Sequence, residues 1–168
     1  IKPEMVIEIG VTNLGKYNEG ELVGKWISLP ISSEELAEVL LEIGIDGAGY
    51  EEYFITDYEA PFRVEEYDNI ERLNEIAEDL ETFTETELKL FSAIEGEFSD
   101  IETVIDKVKG GEILFYEDIS NEEELGQVIA DYWEIPEHLA SYIDYEAIGR
   151  SATYEGWNIA DGIAYYLG

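Results

Sequence analysis

The chain has no cysteine, one histidine and only nine lysine and arginine residues. Without cysteine there is neither a disulfide framework nor a thiolate metal site, a pattern that fits a reducing compartment. The lone His138, just after Pro136-Glu137 at an expected helix start, reads as a surface side chain and not as part of an acid–base or metal constellation. No run approaches the roughly 20 apolar residues of a membrane span, and the opening IKPEMVIEIG lacks the charged-then-apolar pattern of a leader. A soluble, cytoplasmic protein is expected.

Forty-one carboxylates stand against the nine bases, a formal net charge of -32 on 168 residues. Such acidity is usual in disordered tails, which have few apolar and aromatic residues. This chain is 45% apolar and 12% aromatic, with three Trp and twelve Tyr, enough to bury a core. A folded protein that tolerates this much self-repulsion is expected to use it. Anionic lipid and nucleic acid would both be repelled, which leaves a basic protein surface as the natural partner.

The apolar pattern predicts an α+β chain in three small modules, 1–62, 63–110 and 111–168. In the first, Met5–Thr12 and Leu22–Leu29 read as strands around a turn at Asn13–Gly20. A helix capped by Ser32 or Ser33 carries Leu36, Val39, Leu40 and Ile43, and a third strand lies near Tyr53–Asp57. In the second, Asp68 with Glu71, Thr84 with Glu87, and Ser99 with Glu102 have the spacing of a capping box. The three helices they open have apolar stripes of Ile70, Leu73, Ile76, Ala77 and Leu80, then Leu88, Phe91 and Ile94, then Ile101, Val104, Ile105 and Val108. After Lys109-Gly110-Gly111 come a strand at Glu112–Asp118 and a helix opened by Ser120 with Glu123, carrying Leu125, Val128, Ile129 and Tyr132. A short helix begins at Pro136, and Tyr154–Ile159 and Ile163–Leu167 form a terminal hairpin.

From Glu65 to Glu87 there are ten acids and one base, Arg72. Like charges four apart on a helix cost a few tenths of a kcal/mol per pair, and an ordinary solvated face mixes Lys with Glu. Thirty-two net charges equal those on about 16 base pairs of duplex. The sharp reading is a DNA-like array of carboxylates on rigid helices that enters the basic groove of a DNA-binding enzyme. Its candidate residues are Glu65, Glu66, Asp68, Glu71, Glu75, Glu78, Asp79, Glu81, Glu85, Glu87, Asp100, Glu102, Asp106, Glu122 and Glu123. The bland reading is a merely soluble or halophile-type acidic surface.

Other chemistries lack support. Neither Asp46-Gly47 nor Asp57-Tyr58-Glu59 continues as a calcium loop. Nothing singles out a carboxylate pair for glycoside chemistry, and Gly10, Gly15 and Gly20 lack the spacing and following helix of a phosphate loop. No catalytic residue, cofactor or metal is expected, and the protein is read as a non-enzyme.

Asn13–Trp26 (NLGKYNEGELVGKW) resembles the opening of the ArdA antirestriction proteins. Tyr50–Phe62 (YEEYFITDYEAPF) and Val128–Arg150 (VIADYWEIPEHLASYIDYEAIGR) are similar to later parts of the family, the second of these to its antirestriction motif and the residues after it. The middle helices match mainly in acidity, and Lys2, Pro3 and Glu4 fall outside the match. The resemblance implies a DNA mimic from mobile genetic elements that occupies the DNA-binding site of Type I restriction-modification enzymes, blocking restriction and modification. It also implies an elongated monomer of three modules paired through the third into a homodimer. With the apolar segment Trp157–Leu167, it places Trp157, Tyr165 and Tyr166 at the dimer interface. The alternative is an acidic binding module for another basic, nucleic-acid-binding protein; an acid–base hydrolase comes third.

Overall fold

The computed structural model describes residues 6–168, so Met5, where the first strand was expected to begin, lies outside the described residues. The described residues gather into two compact units, one ending at Phe83 and the other running Thr84–Gly168. The architecture is α+β, with a three-stranded antiparallel sheet near each end of the chain and helices between them in sequence.

In the first unit, β1 (Glu8–Asn13) is the central strand, paired with β2 (Gly24–Ser28) and β3 (Tyr53–Glu59). Gly10 faces Trp26 on one side and Asp57 on the other, and the β1–β3 register shifts between Gly10 and Val11. Ile9, Val11, Ile27 and Ile55 are buried, and the central strand β1, flanked on both edges, is buried at every position from Ile9 to Asn13. The stretch expected to be a turn contains a short helix, α1 (Leu14–Asn18). Asn13 accounts for it, being fully buried: its Oδ1 accepts the Lys16 N–H at 3.0 Å and its Nδ2 donates to the Ile43 carbonyl at 2.9 Å. Helix α2 (Ser33–Glu42) is capped by Ser32, one of the two expected serines. Helix α3 (Ile70–Thr82) buries the whole expected stripe, Ile70, Leu73, Ile76, Ala77 and Leu80.

In the second unit, α4 (Glu85–Ile94) opens with the expected Thr84–Glu87 capping box, both reciprocal bonds present. After it come α5 (Ile101–Lys109), β4 (Leu114–Glu117), α6 (Glu122–Asp131), a 3₁₀ segment Glu137–Tyr142, and α7 (Tyr145–Tyr154). The terminal hairpin is β5 (Trp157–Ala160) with β6 (Ile163–Tyr166), and β6 lies between β5 and β4. Ile119, Leu125, Ala152 and Ala164 form a core against which Tyr116, Val128, Ile129, Trp157 and Ile159 pack.

Two further details depart from the sequence pattern. The other expected caps move one residue onward: Asn69 caps α3, Asp100 caps α5 and Asn121 caps α6. At α3 the reason is visible, because the Asp68 carboxylate instead accepts the Glu65 N–H at 2.7 Å and pairs with Arg72 at 3.3 Å. Tyr154, expected to open the hairpin, ends α7, a helix the apolar pattern did not indicate.

A candidate acidic interaction surface

In the first unit the candidate acids lie on α3 and the loop before it. With one face of α3 buried, the opposite face presents Glu71, Glu75 and Glu78, all exposed, and Glu81 is exposed near its end. Asp79 is half-buried beside them. Glu65 and Glu66 are exposed, Glu65 pairing with Arg63 at 2.8 Å. Asp68 is the more structural acid, held by the bonds that close the turn before α3.

In the second unit Asp100, Asp106 and Glu123 are exposed, while Glu85, Glu87, Glu102 and Glu122 are half-buried. Several of these serve the fold directly. Glu87 completes the α4 capping box, Asp100 caps α5 by accepting the Thr103 N–H at 2.7 Å, and Glu122 pairs with Arg150 at 3.4 Å. Carboxylates in the first turn of a helix also offset its dipole.

Most of the described bases are turned to internal use. Lys25 pairs with Glu42 at 2.7 Å, Lys107 with Glu112 at 3.1 Å, and Lys89 lies 3.8 Å from Glu85 and 3.7 Å from Glu117. Arg150 joins Glu146 at 2.8 Å as well as Glu122, and the Lys16 ammonium sits 5.4 Å from the centre of the Tyr50 ring. Exposed pairs of this kind contribute only about 0–1 kcal/mol each. Their larger effect is to hold the cations against the chain's own carboxylates, leaving the excess acid to set the surface potential.

Of the aromatic residues expected at a dimer interface, Trp157 is half-buried and stacks on Tyr116, ring centres 5.4 Å apart at 13°. Tyr166 is 41% exposed, and its ring centre is 5.6 Å from that of Trp157. Tyr165 is buried, and its hydroxyl donates to Glu97 at 3.0 Å. Burial, the bond to Glu97 and the charges of Glu97 and Asp161 push its phenol up to about 12. Sequence reasoning missed a groove of about 580 Å³ whose lining includes Tyr116, Tyr132, Trp133, Ile148 and Trp157. The available signal was Tyr132-Trp133 just after an amphipathic helix, with both rings more than half exposed.

The stretches that carry the resemblance have structural work. A Cβ on Gly15 would meet the Tyr50 ring at 2.5 Å, and Tyr50 Oη donates to Glu19 at 2.7 Å. A Cβ on Gly24 would lie 2.7 Å from the Val11 carbonyl oxygen. The run from Asn13 to Gly24 is therefore fixed by close packing around α1 and the β1–β2 pair. Among the described residues no group of three or more His, Asp or Glu side chains could hold a metal ion, and no helix is long and apolar enough to cross a membrane.

The profile of the antirestriction protein (ArdA) family matches residues 9–163. The chain belongs to the ArdA antirestriction family. Members of this family are non-catalytic DNA mimics directed at Type I restriction-modification enzymes. The match spans both units. Set against curated proteins one by one, the chain has no significant match.

Proposed function

We propose that this ArdA-family protein acts from the cytoplasm by competitive exclusion, laying its carboxylates along the basic DNA-binding groove of a Type I methyltransferase core. The observation that carries this reading is the outer face of α3, where Glu71, Glu75 and Glu78 are exposed opposite a fully apolar stripe. A rigid helix holds these charges in place before binding, so little ordering entropy is lost on association.

The remaining candidate acids, Glu65, Glu66, Asp68, Asp79, Glu81, Glu85, Glu87, Asp100, Glu102, Asp106, Glu122 and Glu123, would add further carboxylates from each unit to the mimic. An elongated arrangement of modules 1–62, 63–110 and 111–168 would spread them over a duplex-like length. Pairing of two chains through a C-terminal surface with Trp157, Tyr165 and Tyr166 would double that length about a two-fold axis. The exposed Tyr166 and half-buried Trp157 support an apolar contact there. Nucleic acid itself is repelled by the net charge of -32 and is not a ligand.

The decisive experiment is competition. Inhibition of a purified Type I methyltransferase core is measured as duplex DNA is raised. Relief by DNA supports exclusion from a shared groove, whereas inhibition that DNA cannot relieve overturns it. Binding to an unrelated basic nucleic-acid-binding protein, with none to the core, would favour the more general acidic module.

A further inference from the structure

The acids of α3 border a groove of about 450 Å³ shared with α2. Its walls include three apolar side chains, Ile31, Leu36 and Leu40, and three carboxylates, Glu71, Glu75 and Glu78. The apolar residues are half-buried, so part of their surface still meets water. Asn74 ties the two sides together: the Ile31 N–H donates to its Oδ1 at 2.7 Å and its Nδ2 donates to the Ile31 carbonyl at 3.0 Å. The groove is preformed, with the volume of about 15 waters, room for more than one side chain.

Imitating phosphates needs only the carboxylates, because a DNA backbone has no aliphatic floor between its charges. We propose that this groove docks a basic amphipathic segment of the partner, an arginine or lysine beside an aliphatic residue. The aliphatic surface lies on Leu36 and Leu40, and the cationic head lies among Glu71, Glu75 and Glu78. Charge complementarity selects this occupant: long basic side chains lay their methylene stems on apolar surface while keeping the charged end among polar groups. The inference rests on the reading of α3 as a contact face for a basic protein, and it adds an increment that salt does not screen. It also gives the inhibitor a means to distinguish basic surfaces that charge alone leaves equivalent.

The test is equilibrium binding of the full chain to a purified Type I methyltransferase core, at two salt concentrations where the parent still binds. L36S/L40S removes the floor and keeps every charge; A37W adds bulk at an exposed position on the groove wall and removes no core contact. Both are expected to bind about tenfold more weakly, and the ratio to the parent should persist at the higher salt. Thermal melts accompany each titration, and if L36S/L40S melts early the A37W result decides. Parent-like affinity for the folded variants at both salts would overturn the groove while leaving acidic mimicry standing. A parent chain that fails to bind the core would overturn that reading and the groove with it.

Discussion

Gly126 of α6 and Gly149 of α7 bring their helices together backbone to backbone. A Cβ on Gly126 would fall on the Tyr145 carbonyl, and one on Gly149 would fall on the Glu122 carbonyl. The approach sets the separation across which Arg150 reaches Glu122. Alanine favours a helix over glycine by about 1 kcal/mol, but forced overpacking costs about 1–3 kcal/mol and occasionally more. For backbone-to-backbone overlap the steric cost wins.

Gly126→Ala and Gly149→Ala are therefore each expected to destabilise the protein by about 1–2 kcal/mol net. Urea unfolding measures this. An unchanged or raised midpoint would mean that the helices do not meet at these glycines.

Asn13→Ala should cost about 1–3 kcal/mol, since it removes the α1 cap and leaves the buried Ile43 carbonyl without its donor. Asn13→Asp should also destabilise, because a carboxylate accepts from Lys16 but cannot donate to Ile43. Thermal melts at neutral pH check both, and an Asp variant as stable as the parent would contradict the Nδ2 assignment.

On the outer face of α3, Glu75→Gln alone should change affinity for the methyltransferase core by less than about 1 kcal/mol. The triple change of Glu71, Glu75 and Glu78 to Gln should weaken binding much more and flatten its salt dependence. Stability should change by less than about 1 kcal/mol, because relief of the i,i+4 repulsion between Glu71 and Glu75 is offset by loss of the Glu71 carboxylate from the first turn of α3. Loss of all inhibition from one folded Glu→Gln variant would point instead to a discrete site.

Tyr165 supplies a test by pH. Its folded phenol is raised to about 12 from an ordinary value of 10.0, so the folded state binds the proton more tightly than the unfolded state. The resulting stability is complete below pH 10.0 and lost as pH rises toward about 12. Tyr165→Phe removes this alkaline sensitivity and, with the bond to Glu97, about 1 kcal/mol at neutral pH. Melts between neutral and alkaline pH should show the two proteins converging, and parallel curves would count against the Tyr165–Glu97 contact.

Legibility in the sequence varied with the kind of signal. The stripe of α3 and the Thr84–Glu87 box could be read because each uses large apolar or unambiguous capping side chains at fixed spacing. Asn69, Asp100 and Asn121 come directly after other cap-competent residues, Asp68, Ser99 and Ser120, so adjacent frames look alike. Local hydrogen bonds chose between them. Helix α7 was hidden because its buried face is Gly149 and Ala152, small residues that give no apolar period and, in glycine's case, suggest a break. The outward acids of α3 could be placed from its stripe, whereas the groove beside them required knowing that α2 packs nearby.

The sequence by itself determined the charge, the helical periods and the family, since these depend on composition, on spacing within one element and on ordered motifs. Tertiary structure alone decided that Asn13 turns a glycine-rich stretch into a helix and that β6 lies between β5 and the distant β4. It also decided that Leu36 and Leu40 share a groove with Glu71, Glu75 and Glu78. Each of these is a contact between residues far apart in the chain, and its free energy comes from burial and hydrogen bonds that exist only once distant segments meet.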